Sequence, residues 1–225
     1  MSTAEVTIEG HALQPDGRVS VRIRGLAPGV VQPGQAFAAF QPGRDLHCQA
    51  LIPTNVSATD FSAPLPDGVD WPPGTRLLMH GPFGKGFRPP SSSRHWLLMS
   101  FGGAHAFLQP LIRLGLEQGR ELALFADDPA PGMPPAVEVL PEPEDGLPWA
   151  DYVAVGLPLT RLDEMIGRLK QSDWQLRRKM HDEVLAVSSL PCGIGGCRAC
   201  HVGVRGHRQL ICVDGPLIPL TRLFT

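Results

Sequence analysis

Four of the chain's five cysteines fall in one short segment, Cys192, Cys197, Cys200 and Cys212, spaced C-x4-C-x2-C-x11-C. Nothing else in the sequence limits the fold as tightly. Three of them stand in "CGIGGCRAC", so these thiols share a loop that carries almost no side chain between them. The N-terminal "MSTAEVTIEG" has no basic start leading into an apolar run, and so does not read as a secretory signal. The expected compartment is the cytoplasm. Structural disulfides are disfavoured there, and clustered cysteines point to metal binding or catalysis.

C-x4-C-x2-C with a distant fourth cysteine is the spacing of plant-type ligands to a [2Fe–2S] cluster. Four thiolates bring much negative charge to such a cluster. A loop that wraps it must bend sharply and aim backbone N–H groups at sulfur, and Gly193, Gly195 and Gly196 permit this. Ile194 is placed to shield the cluster from water. Cys212 lies in "RQLICVDGP", which reads as a strand running into an Asp-Gly turn, with "HVGVR" as its antiparallel neighbour. Zinc is the alternative. Structural zinc sites favour paired C-x2-C knuckles, and only Cys197 and Cys200 have that spacing. His201 and His207 could ligate in a Rieske-like arrangement, but four cysteines leave them without need. His201 reads as a strand residue and His207 as part of the turn "RGHRQ". Cys48, distant in sequence, reads as a small buried hydrophobe.

Twenty-four prolines and 25 glycines cut the rest into short pieces. "EVTIEG", "VSVRIRG", "AFAAF" and "RLLMHG" are alternating or apolar strands, which predicts a β barrel up to about Phe87. "RPPSSSRH" reads as a linker. Beyond it the pattern changes to an α/β domain with a parallel sheet. "WLLMSFGG", "ELALFA" and "DYVAVG" are buried strands. "PLIRLGLEQG" is a helix with Pro110 at its first position and Gly119 at its stop. "PLTRLDEMIGRLK" is a second helix, with Leu162, Met165, Ile166 and Leu169 on one face. "EVLAVSS" is a final strand, and the proline- and acid-rich stretch "PAPGMPPAVEVLPEPEDGLPWA" is an exposed excursion. The expected division is residues 1–90, 91–186 and 187–225. A net charge of −2 gives no electrostatic reason to expect nucleic acid or an anionic membrane surface. The apolar run from His95 to Leu116 is too interrupted for a membrane span.

"CGIGGCRACHV" followed by "CVDGPLI" resembles the electron-transfer subunit family of dihydroorotate dehydrogenase. The resemblance implies a ferredoxin-reductase-like chain with an FAD-binding barrel, a nucleotide-binding α/β domain and a C-terminal [2Fe–2S] module. It also implies a hetero-oligomer, in which electrons pass to or from a flavoprotein oxidoreductase such as the dihydroorotate dehydrogenase catalytic subunit. "PGQAF" (Pro33 to Phe37), "GPFGKGF" (Gly81 to Phe87), Gly102 with Gly103, and Pro110 with Leu111 resemble further family segments in order.

Some positions depart from the family pattern. Its flavin motif should fall at "CQALIPTN", but Gln49 stands where an arginine belongs and Ile52 replaces a hydroxyl residue. The stretch from Asn55 to Thr75 is short for the pyrophosphate motif, with Thr54 and Thr75 as remnants. His105, Ala106 and Phe107 lengthen the nucleotide loop before Pro110, and Val155, Gly156 and Leu157 replace a Cys-Gly-Pro motif. These departures predict weak FAD retention and no useful NADH binding. The rival readings are a complete FAD-dependent, NADH-linked reductase subunit and a zinc-stabilised scaffold without redox activity.

Overall fold

The computed structural model describes residues 2–25, 31–171, 181–204 and 207–223. The chain divides into two compact units. The first contains Met1–Gly86, Ser188–Val202 and Arg208–Pro216, and the second contains Phe87–Val187, Gly203–His207 and Leu217–Thr225. The cysteine segment thus groups with the N-terminal strands, although it follows the α/β stretch in sequence.

The first unit is built on an antiparallel sheet of β1 (Ser2–Leu13), β2 (Val19–Arg24), β3 (Ala36–Phe40), β4 (Gln49–Leu51), β5 (Asn55–Val56), β6 (Asp60–Pro64) and β7 (Arg76–Phe83). Its order is β4-β3-β7-β1-β2-β6-β5. Strand β7 alternates between buried and less buried residues along its whole length, the period-two signature of a sheet with one covered face. Phe37 on β3 and Phe61 on β6 are far apart in the strand order, yet their rings stack at 5.2 Å. The sheet therefore curls on itself, as a barrel must. Trp71 fills the interior with Val6, Ile8, Val21 and Leu77. Its indole N–H donates to Asp45 (2.8 Å), so the large apolar side chain buries no unpaired donor.

The second unit contains β8 (His95–Ser100), α1 (His105–Glu117), β9 (Glu121–Ala126), β10 (Val137–Leu140), α2 (Pro143–Gly146), β11 (Tyr152–Pro158), α3 (Leu162–Gln171) and β12 (Glu183–Val187). The hairpin strands β13 (His201–Val204) and β14 (His207–Leu210), the one-turn helix α4 (Ile211–Asp214) and the strand β15 (Leu217–Pro219) complete the described strands and α-helices. The six-stranded sheet runs β10-β9-β8-β11-β12-β15, and only β15 pairs antiparallel. This is the doubly wound order, with its switch point between β8 and β11. Residues 96–100 and 152–157 are buried without alternation, as central parallel strands covered on both faces must be. Among the described residues no helix is long and apolar enough to cross a membrane.

Two local expectations are corrected. Pro110 lies inside α1, which already begins at His105, so His105, Ala106 and Phe107 form its first turn and do not extend a loop. Proline lacks only one N–H, and here the cost falls near the helix start, while Leu108, Leu111 and Ile112 are buried and hold the helix in place. "VEVL", in the proline-rich stretch, is an edge strand paired with β9 rather than part of an exposed excursion. One side of that strand has a free edge, which tolerates its glutamate.

Glu183 joins the start of β12 to two neighbours. Its Oε2 accepts the Tyr152 hydroxyl (2.8 Å) and the Arg88 backbone N–H (2.8 Å). Burial raises its carboxyl above the usual range, against the lowering effect of these donors. The folded state therefore binds the proton more tightly than the unfolded chain. Stability from this group is complete below the ordinary carboxylate range and is lost as pH rises through the raised folded value. Glu183→Ala should cost about 1–3 kcal/mol in urea denaturation by leaving the buried Tyr152 hydroxyl unpaired. Glu183→Gln should retain most stability and flatten this pH dependence.

Candidate metal centre

The loop from Cys192 to Cys200 is shaped by left-handed backbone at Gly193 (φ 65°), Gly195 (φ 80°) and Arg198 (φ 56°). At Gly193 a side chain is also excluded by space: a Cβ would stand 2.8 Å from Ala38 Cβ and 3.2 Å from Cys48 Sγ. Beyond the loop, β13 and β14 pair as the sequence pattern expects. The turn expected at Arg205 and Gly206 lies outside the described residues. Cys212 sits on α4 rather than on the expected strand. The Asp214 carboxylate accepts the Leu210 N–H (2.7 Å) and Gly215 N–H bonds Ile211 C=O (3.1 Å), which together close one helical turn around Cys212.

The cysteines meet as two pairs. Cys200 and Cys212 are buried, and their sulfurs lie 3.1 Å apart. Cys192 Sγ accepts the Cys197 N–H at 3.4 Å. The backbone N–H groups of Cys197, Ile194 and Gly196 all favour the Cys192 thiolate, and its pKa falls to about 7. Burial pushes Cys212 up to about 12, with the neighbouring Cys200 thiol acting in the same direction and the Gly195 N–H opposing both. The glycine-rich loop thus aims its N–H groups at sulfur, as an anionic cluster requires. Among the described residues no three His, Cys, Asp or Glu side chains converge to hold a single ion. A [2Fe–2S] cluster spreads four thiolates over two irons, and two thiol pairs fit that demand.

His201 is exposed, and its Nδ1–H donates to the Arg198 carbonyl (3.2 Å), so its ring braces the loop. Ile194 is 69% exposed, which corrects the expectation that it shields the site. Cys197 is also exposed, so one edge of the loop faces solvent.

Cys48, read from sequence as a remote buried hydrophobe, lies against this loop. It forms an isolated antiparallel bridge with Leu190: Cys48 N–H bonds Pro191 C=O, and Leu190 N–H bonds Cys48 C=O, each at 3.3 Å. Nothing in the local sequence around Cys48 signals this contact. The two glycine motifs prove to be partners as well. Gly84 of "GPFGKGF" and Gly215 of "CVDGPLI" touch so closely that a Cβ on Gly215 would collide with Gly84 Cα. Gln35 caps the Gly84 carbonyl (2.9 Å) and Gln209 the Gly215 carbonyl (3.1 Å). Gly215→Ala should cost about 1–3 kcal/mol for left-handed backbone and about as much again for the collision. Thermal unfolding would measure the loss.

The flavin-motif positions are committed to the barrel itself. Ile52 is buried, and Thr54 bonds the Ser62 carbonyl through both its N–H (2.8 Å) and its hydroxyl (3.3 Å). Thr75 N–H bonds the Pro72 carbonyl (3.0 Å). Residues 190–193 lie directly on Ala38 and Cys48, beside the start of β4.

In the second unit, the switch point is occupied by an ion pair. Gly102 N–H donates to the Asp127 carboxylate (2.9 Å), which also pairs with Arg161 (2.9 Å), and Arg161 in turn bonds Glu164 (2.6 Å). Gly156 lets α1 pack on the sheet, since a Cβ there would meet Leu108 at 3.2 Å and the Ala104 carbonyl at 3.3 Å.

Residues 188–224 match the family model of the iron-sulfur cluster binding domain of dihydroorotate dehydrogenase B. This segment is similar to that iron–sulfur domain family. Its matched span includes all four cysteines of the two pairs, and the resemblance drawn from their motif holds. No curated protein matches the chain in sequence. Among solved structures, a chain of an NADH-dependent reduced ferredoxin-NADP oxidoreductase aligns over 96% of this chain and 92% of its own, with 18% identity and a TM-score of 0.71. A ferredoxin reductase in carbazole 1,9a-dioxygenase, in its FAD apo form, aligns over 76% of this chain with 19% identity and a TM-score of 0.60. The chain spans 63% of that protein's length. A ferredoxin NADP+ reductase from Neisseria gonorrhoeae with bound FAD and NADP aligns over 83% of this chain and 99% of its own, with 11% identity and a TM-score of 0.59. These likenesses establish the fold. It is ferredoxin-reductase-like, with the iron–sulfur domain at the C-terminal end.

Proposed function

We propose that this chain is an iron–sulfur electron-transfer protein, with Cys192, Cys197, Cys200 and Cys212 holding a [2Fe–2S] cluster. The observation that carries the reading is the pairing of the thiols under loop N–H groups aimed at sulfur. When bound, such a cluster supplies a one-electron couple. The chain's own residues set its surroundings. The N–H groups of Ile194, Gly195, Gly196 and Cys197 stabilise negative charge on sulfur, and burial of Cys200 and Cys212 excludes water from one side. The exposed Cys197 edge, with Arg198 beside it, is the face offered to a redox partner. By family, that partner is a flavoprotein oxidoreductase, most simply a dihydroorotate dehydrogenase catalytic subunit in a hetero-oligomer. The working division of labour is a barrel over residues 1–90, an α/β scaffold over 91–186 and the cluster module over 187–225. Anaerobically purified protein should be red-brown, with about two irons and two sulfides per chain. One zinc per chain without sulfide would sink the proposal.

The committed threonines and the polypeptide lying beside β4 support weak FAD retention. After desalting, the isolated chain should carry far less than one flavin per molecule by absorbance. Stoichiometric FAD would instead favour the complete NADH-linked reductase subunit.

A further inference from the structure

The fifth cysteine has more than a packing position. The bridge to Leu190 pins the Cys48 backbone two residues before the Cys192 side chain leaves the chain. Its Sγ lies over the buried Gly193, 3.2 Å from where a Cβ would be, so only the absence of a side chain there lets the thiol approach the loop. Cys192 itself is followed by left-handed backbone at Gly193 and Gly195. The buried Cys200 and Cys212 pair is closed by its own contacts.

We propose that Cys48 is a standby cluster ligand that takes the place of Cys192 when Cys192 is removed or detached. The inference rests on the reading of Cys192, Cys197, Cys200 and Cys212 as the ligand set. In the exchange, the Cys192 sulfur–iron bond breaks and a Cys48 sulfur–iron bond forms. Cys48 releases its thiol proton and the freed Cys192 thiolate takes one up, so no electron is gained or lost. Iron bonds only the thiolate form, which is why the proton must leave. Such a reserve would let Cys192 be damaged or displaced without loss of the cluster.

The test uses the full-length chain, reconstituted anaerobically with iron and sulfide, as wild type, Cys48→Ala, Cys192→Ala, Cys197→Ala and the Cys48→Ala/Cys192→Ala double variant. Iron and sulfide content, EPR of the dithionite-reduced protein and iodoacetamide labelling read by mass spectrometry are the readouts. The expected result is that Cys192→Ala keeps most of its iron and sulfide with a shifted EPR signal. Cys48 should then be protected from labelling in that variant and labelled in wild type. Cys197→Ala and the double variant should lose nearly all iron, whereas Cys48→Ala alone should keep the wild-type content. A folded Cys192→Ala chain that loses its cluster as Cys197→Ala does overturns the proposal, and so does unprotected Cys48 in that variant. If Cys192→Ala does not fold, Cys192→Val in the wild-type and Cys48→Ala backgrounds decides. Iron retained only where Cys48 is present supports the proposal, and equal loss in both overturns it. A wild-type chain without iron and sulfide overturns this inference and the ligand reading together. A loaded wild type with an empty, folded Cys192→Ala overturns this inference alone.

Discussion

Replacing Cys200 by Ala should leave a colourless chain. Its thiol is buried 3.1 Å from Cys212, and the described cysteines near this pair belong to the other end of the loop. Cys48, anchored beside Gly193, cannot substitute here without undoing its bridge to Leu190. With one thiolate left on that side, iron and sulfide should fall from about two each per chain to almost none. Because the metal binds only the folded site, the same substitution should also lower the melting temperature of the loaded protein towards that of the stripped one. Iron and sulfide assays beside circular dichroism check both. Wild-type iron content in folded Cys200→Ala would refute the ligand assignment.

NADH should not reduce the chain on its own. Dinucleotide pyrophosphates bind where loop N–H groups and a helix start face the crevice at the switch point. The α1 helix begins at His105, two residues after Gly103, so the loop before it is not over-long. The obstacle is different. The Gly102 N–H already donates to the Asp127 carboxylate, and Arg161 is drawn to the same carboxylate and to Glu164. An internal anion thus holds a donor that a phosphate would need, and a phosphate would meet its negative charge. Under anaerobic conditions NADH should leave the visible band unchanged, while dithionite should bleach it. Asp127→Asn removes the charge and should measurably improve nucleotide binding by fluorescence titration. Bleaching by NADH at catalytic rates, with no second protein, would restore the complete reductase reading.

The fold was legible wherever local pattern decided it. The alternating strands of the barrel and the unbroken apolar strands "WLLMS" and "YVAVG" appear where their periodicity places them. The edge strand "VEVL" was hidden because its glutamate and flanking prolines read as loop, and a single edge needs little apolar surface. Pro110 misled for a related reason. Helix-start statistics favour proline at the first position, but the burial of Leu108, Leu111 and Ile112 outweighs one missing hydrogen bond.

For the site, the sequence alone singled out the four closely spaced thiols proposed to share one cluster. Ligand spacing and loop glycines are local, and the backbone geometry of a short loop follows from them. Only the tertiary structure decided what stands around those thiols. Cys48 reaches Gly193 across most of the chain's length, Gly84 meets Gly215 backbone to backbone, and Asp127 takes the N–H of Gly102. Each of these contacts joins residues far apart in sequence. The barrel and sheet bring them together through packing, and no spacing rule within either segment records its partner.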